Sequence, residues 1–557
     1  MKTSNSHIKP LILVVVILVI INSVSSSFFN RFDFTKDNRY TLSEAALDIT
    51  NKAEAPLIVD VFLQGEFPSE FKRLQTETRS ILEEFNAENP NIYFNFINPL
   101  EGNADAEAIA TQFYQMGMTP ARVTVKENGK NEQRIIFPWA MANYNDETVK
   151  IPLLKNNLGA TTEERVNASV QQLEYVFADA FSKLLTPRKQ KIAIMRGNGE
   201  LPDLNIADFI KTIKPYYRVA PFTLDSVANN PIGTLEKLNE FDLVIEAKPT
   251  QAFTEQEKYV LDQYLMQGGK MLWLTEQVAF ETDSLFNPSQ TSFALPRTLN
   301  LDDYFFKYGI RINTELVNDL YSAPLILASG QGEDTQFNPY PWFYFPLPTA
   351  TKAHPIVNNI EAVRFEYANP IDTLKNSINK TVLLTSSPTT KLDAVPRQLS
   401  LKALGQQPNL ELYKDSEQPL AVLLEGSFTS VYENRLKPFS YKNNKNNSEA
   451  TAMLVISDGD IIKNKTNGNQ PLELGFERYT GAAYGNKEFL LNSVNYLLDD
   501  TGLIDIRSKE ISIAFLNPDK IADEKLKWQL INILLPLVLL AIFGVVFISL
   551  RKRKYTL

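Results

Sequence analysis

Apolar residues run continuously at the two ends of the chain and alternate with polar ones between them. Leu530–Leu550 reads LINILLPLVLLAIFGVVFISL, without a charge, and Arg551, Lys552, Arg553 and Lys554 follow at once. As a helix it spans about 31 Å, close to the roughly 30 Å of a bilayer's hydrocarbon core. The pattern predicts a transmembrane helix over 528–550. Trp528 lies at its interface, Pro536 is of the kind membrane helices tolerate, and the basic tail 551–557 stays in the cytoplasm. Leu11–Ile21, LILVVVILVII, follows a tail of residues 1–10 that carries Lys2 and Lys9 and no acid. Two readings of it are open: a signal peptide cut near Ser23-Val24-Ser25, or a retained helix over 11–29. Both put the bulk of the chain outside the cytoplasm, and a retained helix leaves both termini inside.

Between these ends the hydrophobic period switches between two and 3.6. In the juxtamembrane segment 30–55, Asn38-Arg39-Tyr40 suggests a turn, and Thr41 or Ser43 can cap a helix from Glu44 to Thr50. Over 56–160 the order is strand (Leu57–Leu63), helix (Ser69–Ala87), strand (Ile92–Ile97), helix (Ala104–Met116), then a hairpin. The hairpin pairs Ala121–Lys126 with Arg134–Trp139 around Glu127-Asn128-Gly129. Phe71, Leu74, Thr78, Ile81, Leu82 and Phe85 fall on one face of the first helix. Thr162–Leu185 reads as one long helix, the connecting segment 161–187, ended by Thr186-Pro187-Arg188.

Residues 188–510 open with a repeated strand–helix alternation. Strands are expected at Lys191–Met195, Tyr217–Phe222, Phe241–Ile245 and Lys270–Leu274, and helices at Ile206–Ile213 and Thr254–Met266, the latter with Glu257 at the capping-box position. Such alternation implies a parallel sheet and an α/β fold class. Leu299–Val317 reads as a helix and a strand parted by Gly309. Gly330–Pro348, rich in Pro and aromatics, reads as a loop. Further strands are expected at Thr381–Ser386, Leu420–Leu424 and Ala452–Ile456, with a solvated loop at Tyr441–Glu449 and a helix at Asn486–Leu498. A linker, 511–527, leads to the terminal helix.

Composition narrows the chemistry. The chain has 557 residues, no Cys, two His and a net charge of −9. Thiol chemistry, disulfides and thiolate metal sites are excluded, and His-based triads and zinc sites nearly so. The acidic balance argues against nucleic acid as a partner. No Walker-type phosphate loop occurs, and no cofactor is implied. The candidate positions are few. Arg196-Gly197-Asn198-Gly199-Glu200 is the turn at a strand's carboxyl end, where α/β sheets place ligands; a tight turn is the alternative. Asp458 and Asp460 at another strand end could hold a divalent cation or form an Asp-Gly turn that caps the next helix. Trp342 and Tyr344 in the aromatic stretch are candidates for a contact surface, or for a loop packed over the sheet. Pro120 could flank a peptide-binding face or lie in an ordinary trans turn.

Residues Arg31–Ser43, RFDFTKDNRYTLS, are similar to the opening of the accessory subunits of ABC transporters linked to bacterial gliding motility, the GldG family. Arg31, Asp33, Thr35, Arg39, Tyr40, Leu42 and Ser43 carry that motif. The succession in 56–160 resembles a thioredoxin-like domain, in which Thr119-Pro120 sits where that fold keeps a cis-proline. RGNGE, FDLVI and TEQEKYVLDQYLMQGGKMLWL resemble the GIFT-type auxiliary domain of ABC systems, itself distantly similar to class I glutamine amidotransferases. The Cys and His those enzymes need are missing here, so the resemblance implies fold and not activity. It implies a non-catalytic, substrate-binding-type accessory subunit in the inner (cytoplasmic) membrane, periplasmic in bulk, partnered by an ABC permease and a cytoplasmic ABC ATPase. A solute or peptide receptor, and an envelope hydrolase built on carboxylates near Glu200 or Asp458, are the alternatives.

Overall fold

The computed structural model describes residues 41–102, 105–127, 130–155, 159–330, 332–499, 501–508 and 518–555, with positions 14, 17 and 18. The expected N-terminal helix, apart from those three positions, lies outside the described residues, as do Arg31, Asp33, Thr35, Arg39 and Tyr40. Two compact units result, Met1–Glu510 and Ile511–Leu557.

The first layer is built from α1 (Glu44–Thr50), β1 (Leu57–Val61), α2 (Ser69–Glu88), β2 (Ile92–Phe96), α3 (Ala106–Gln115), β3 (Ala121–Glu127), β4 (Lys130–Ile136), β5 (Trp139–Tyr144) and β6 (Glu147–Pro152). Ser43 caps α1, its Oγ accepting from Ala46 N. The six residues read as the apolar face of α2 are all buried. The sheet order is β2-β1-β5-β6, with β1 and β2 parallel and the rest antiparallel. The β3–β4 hairpin forms as expected but stands as its own two-stranded ribbon. Its second strand stops at Ile136, and Trp139 instead begins β5, whose neighbours are β1 and β6. The Thr119–Pro120 bond is trans; among the described residues the one cis bond is Val395–Pro396.

The long helix expected over 162–185 is two: α4 (Thr162–Val170) and α5 (Leu173–Leu185), broken at Gln171-Gln172. The break lets α4 bury Val166 and Val170 while α5 lays Phe177, Ala180 and Phe181 against the layer of α2, where Phe85 meets Phe181 edge to face at 5.1 Å.

The larger sheet uses β7 (Lys191–Arg196), β8 (Arg218–Thr223), β9 (Leu243–Ala247) and β10 (Lys270–Leu274), interleaved with α6 (Ala207–Ile213), α7 (Pro231–Leu238), α8 (Glu255–Met266) and α9 (Asp302–Tyr308). The predicted capping box of α8 is present, Thr254 and Glu257 bonding reciprocally. A hairpin follows, β11 (Ser322–Ser329) with β12 (Gln336–Pro346). Four more strands, β13 (Thr349–Ala350), β14 (Asn379–Thr385), β15 (Pro419–Thr429) and β16 (Asn447–Ile456), precede α10 (Asn486–Leu498). The order is β13-β14-β15-β16-β10-β9-β7-β8. β8, β7, β9, β10 and β16 run parallel, and β15 and β14 turn antiparallel. One face packs Ile192, Ile245, Leu272 and Leu454 against α6 and α10. The other packs Met195, Val244 and Trp273 against α7, α8 and α9. Strands apolar on both faces are what a covered parallel sheet requires.

Two expectations fail here. Gly330–Pro348 is mostly the strand β12, not a loop. Its prolines read as breakers, but among the described residues β12 pairs only with β11, and a strand with one partner can spare backbone donors. β16 begins at Asn447, inside the stretch expected as a solvated loop.

The second unit is a single helix, α11 (Pro518–Tyr555), with Pro536 inside it. Its span Glu524–Lys554 is long and apolar enough to cross a membrane, and its apolar side chains are exposed.

Candidate functional site

The carboxyl ends of β9, β10 and β16 are adjacent in the sheet, and a charged residue follows each within two positions. Lys248 follows β9, Glu276 lies two residues past β10, and Asp458 and Asp460 follow β16. All four are buried, with Lys248 only 1% exposed. Lys248 Nζ lies 2.5 Å from Asp460 Oδ2, 2.5 Å from Glu281 Oε1 and 3.6 Å from Glu276 Oε1. Arg297 Nη2 reaches Glu276 Oε1 at 2.8 Å, and Lys463 Nζ reaches Asp460 Oδ1 at 3.2 Å and Glu281 Oε2 at 3.3 Å.

Asp458 is set apart. Its oxygens accept from the backbone N–H groups of Asp460 and Glu366, each at 2.7 Å, and among the described residues no ammonium pairs with it. Burial, then the charges of Asp460 and Glu276, push its pKa well above the usual carboxylate range. Burial also raises Glu276, to about 7, against the pull of Lys248. Burial works the same way on Asp460, but Lys248 and Lys463 outweigh it and hold that carboxyl below its ordinary value. Three carboxyls, those of Glu276, Glu281 and Asp460, thus lie against three cations, Lys248, Arg297 and Lys463.

Ligand oxygens of Glu276, Asp458 and Asp460 lie within 4.8 Å of one another, a donor set that suits a hard divalent cation by type. The ammonium of Lys248 sits against this set and supplies positive charge there. Its placement is demanding: Lys248 has φ +59°, in the left-handed region uncommon for residues other than glycine. Gly459 makes room for it, because a Cβ at that position would overlap Lys248 Cγ and Cβ. Gly459→Ala is therefore expected to destabilise the folded chain by about 1–3 kcal/mol, as overpacking in a rigid core does. The measurement is the denaturant midpoint of the purified chain. A midpoint unchanged from wild type would show that Lys248 yields without cost.

The cluster borders an open cleft of about 420 Å³. Asp460, Glu281 and Lys463 belong to both, and Arg364, Glu477 and Tyr479 continue the lining. Lys465 pairs with Glu477, and Arg364 with Glu366 at 2.9 Å.

The turn Arg196–Glu200 lies where β7 meets β9, the point at which the chain's progress across the sheet reverses direction. The neighbouring loop closes it. Thr250 N and Gln251 N donate to Asn198 O at 2.9 and 2.8 Å, and Thr250 Oγ1 donates to Gly199 O at 2.8 Å. Gly199 has φ +76°, and a Cβ there would overlap Thr250 Oγ1, so the glycine serves close loop packing. Glu200 folds back to accept from Asn198 N at 2.9 Å, and burial raises its pKa. Arg196 is paired with Asp203 at 2.5 Å.

The other candidates are dispersed. Trp342 and Tyr344 are buried in the core beneath the β11–β12 hairpin. Trp342 Nε1 donates to Tyr367 Oη at 3.2 Å, and the Tyr344 hydroxyl donates to Asp393 at 2.8 Å. These two rings face inward because β12 alternates, so they present no contact surface. Pro120 is half-buried beside Thr119, whose carbonyl accepts from Trp139 Nε1 at 2.9 Å. Ser43 N donates to Glu174 Oε1 at 2.7 Å, and Leu42 is buried.

Sequence reading missed Lys248, Glu276, Glu281, Arg297 and Lys463. A charged residue one or two positions past a buried, mostly apolar strand is the signal that Lys248 and Glu276 share with Asp458. It also missed Glu246, in mid-strand on β9 next to Trp273. Both Glu246 oxygens and Trp273 Nε1 are buried without a hydrogen-bond partner among the described residues. Burial, then the charges of Glu200 and Glu257, push Glu246 well above the usual carboxylate range.

Comparison with known proteins gives these features a setting. Residues 36–143 match a domain of unknown function, DUF7088. An uncharacterized protein of Borreliella burgdorferi is 19% identical over 563 residues, covering all of both chains. Among solved structures, the mmIFT52 N-terminal domain aligns with 56% of this chain and 99% of its own at 13% identity, with a TM-score of 0.31, too slight a likeness to carry an argument. Residues 189–493, which hold the whole larger sheet and the buried ion cluster, match the family described as "ABC-type uncharacterized transport system". That match covers more than half of the 557 residues, and the chain belongs to this family, as an auxiliary protein of an ABC transport system.

Proposed function

We propose that this chain is the membrane-anchored, non-catalytic accessory subunit of an ABC transporter, with its folded region outside the cytoplasm and its basic C-terminus inside. The observation that carries the reading is the pairing of an auxiliary-family region with a charge-free terminal helix that ends in Arg551–Lys554. Lysines and arginines mark the cytoplasmic end of a membrane helix. A separate permease and a separate ATPase supply the transport cycle. The RFDFTKDNRYTLS segment supports the narrower assignment to the GldG family of gliding-motility and secretion systems. The strand order β8-β7-β9-β10-β16 supports a GIFT-type doubly wound domain over 188–510, since it is the order of flavodoxin-like sheets. The β1–β6 layer supports a thioredoxin-like assignment for 56–160.

The test is affinity purification of a C-terminally tagged chain from membranes solubilised in mild detergent. An ATPase and a multi-span permease are expected in stoichiometric yield. Recovery of the chain without either, under crosslinking, sinks the reading. The cleft beside Asp460 favours a second reading, a solute or peptide receptor, which predicts saturable binding that Lys463→Glu abolishes.

A further inference from the structure

Ser43 and Arg507, near the two ends of the described stretch 41–508, meet on one helix. Ser43, at the N-terminal end, is bonded to Glu174 at the start of α5, and Arg507, at the C-terminal end, stacks over Tyr175 one residue on, 4.9 Å from its ring. Beside this junction lies a hollow of about 320 Å³, lined by Lys52, Lys189, Tyr216, Leu503 and Ile504 among others. It shares Pro215 with a second hollow of about 560 Å³ between α6 and the edge strand β8, lined by Arg188, Lys211, Lys214, Val219 and Pro221. The surface is basic on a chain whose net charge is −9. Lys183 and Arg196 have partners there, Asp179 and Asp203. Lys52, Arg188, Lys189, Lys211, Lys214 and Arg218 are exposed and make no ion pair among the described residues. Asp499, at the same junction, is occupied with the backbone N–H groups of Thr501, Gly502 and Ile504.

We infer that this surface binds anionic phospholipid headgroups. The inference rests on the anchored reading above. The choice of lipid follows from where the chain leaves the fold. Nine residues of sequence separate Ser508 from α11, and the apolar Leu11–Phe29 run precedes the other end. Unpaired lysines and arginines beside a tether gain from a negative surface, and that gain is screened by salt, with a Debye length of about 10 Å at 0.1 M.

The absence of Cys makes the test direct. Single thiols are introduced in the full chain at Pro221→Cys and Asn51→Cys on the basic surface, and at Gln407→Cys elsewhere. Each is spin-labelled and reconstituted into vesicles that carry a nickel-chelating headgroup lipid. Flotation of the vesicles first establishes anchoring; a chain that does not float overturns the anchored reading and this inference with it. In floating vesicles rich in phosphatidylglycerol at low salt, labels at 221 and 51 are expected to relax several-fold faster than the label at 407. The enhancement should vanish in pure phosphatidylcholine and at high salt. It should also vanish in Arg188→Glu/Lys189→Glu/Lys211→Glu/Lys214→Glu, while the salt series on the unaltered surface gives the same answer without a variant. Equal relaxation at all three sites, or enhancement indifferent to lipid charge and salt, overturns the inference. So does enhancement that appears only when an acidic partner protein is added, which would assign the surface to that protein.

Discussion

Lys248→Met is expected to lower the unfolding free energy by about 3–5 kcal/mol at neutral pH, the usual cost of removing one partner from a buried ion cluster. Methionine fills much the same volume, so the loss is electrostatic. Asp460 and Glu281 lose a contact at 2.5 Å, and Glu276 loses the charge 3.6 Å away. Lys463 still compensates Asp460, but only from its own side. The carboxyls respond by binding protons, so the loss shrinks as the pH falls. Adding Glu276→Gln and Asp460→Asn to Lys248→Met removes the orphaned charges and is expected to restore most of the stability. The measurement is denaturant unfolding followed by tryptophan fluorescence. A loss under about 1 kcal/mol, the scale of an exposed pair, would mean that water reaches the cluster.

The second large effect is a pH dependence carried by Glu276. Its folded pKa, about 7, lies above its ordinary 4.5 because burial disfavours the charge. Between those values the folded chain holds a proton that the unfolded chain has released. This carboxyl therefore favours the fold fully below pH 4.5, and its contribution declines as the pH rises to 7. At about 1.4 kcal/mol per pKa unit the decline is on the order of 3 kcal/mol. Glu276→Gln cannot titrate. The stability of wild type relative to the variant should thus fall between pH 4.5 and 7 and stay level above. Glu246, raised in the same direction but not by Glu276, cancels in that comparison, whereas Asp458, which the Glu276 charge helps to raise, is eased by the substitution and adds to the difference in the same pH range. A wild-type-minus-variant difference independent of pH would place the proton elsewhere in the cluster.

Regular elements were legible where local chemistry and packing agree. The α2 stripe, the Thr254–Glu257 box and the helix Asn486–Leu498 are each specified within a few turns of chain. The Gln171-Gln172 break carries no Pro or Gly, because tertiary packing and not propensity divides α4 from α5. β12 was hidden by prolines that a strand with one neighbour tolerates. The site was half legible. Asp458 and Asp460 stood out as a pair near in sequence. Lys248, which decides what they can hold, is 212 residues from Asp460, and only the sheet brings them together.

The junction on α5 also bears on local opening of the chain. Ser43 and Arg507 are linked through the first turn of one helix, where Glu174 and Tyr175 are consecutive, by contacts that involve no strand of either sheet. Loosening either contact is thus expected to free Ser43 or Arg507 from α5 while leaving the strand ladders of both sheets paired.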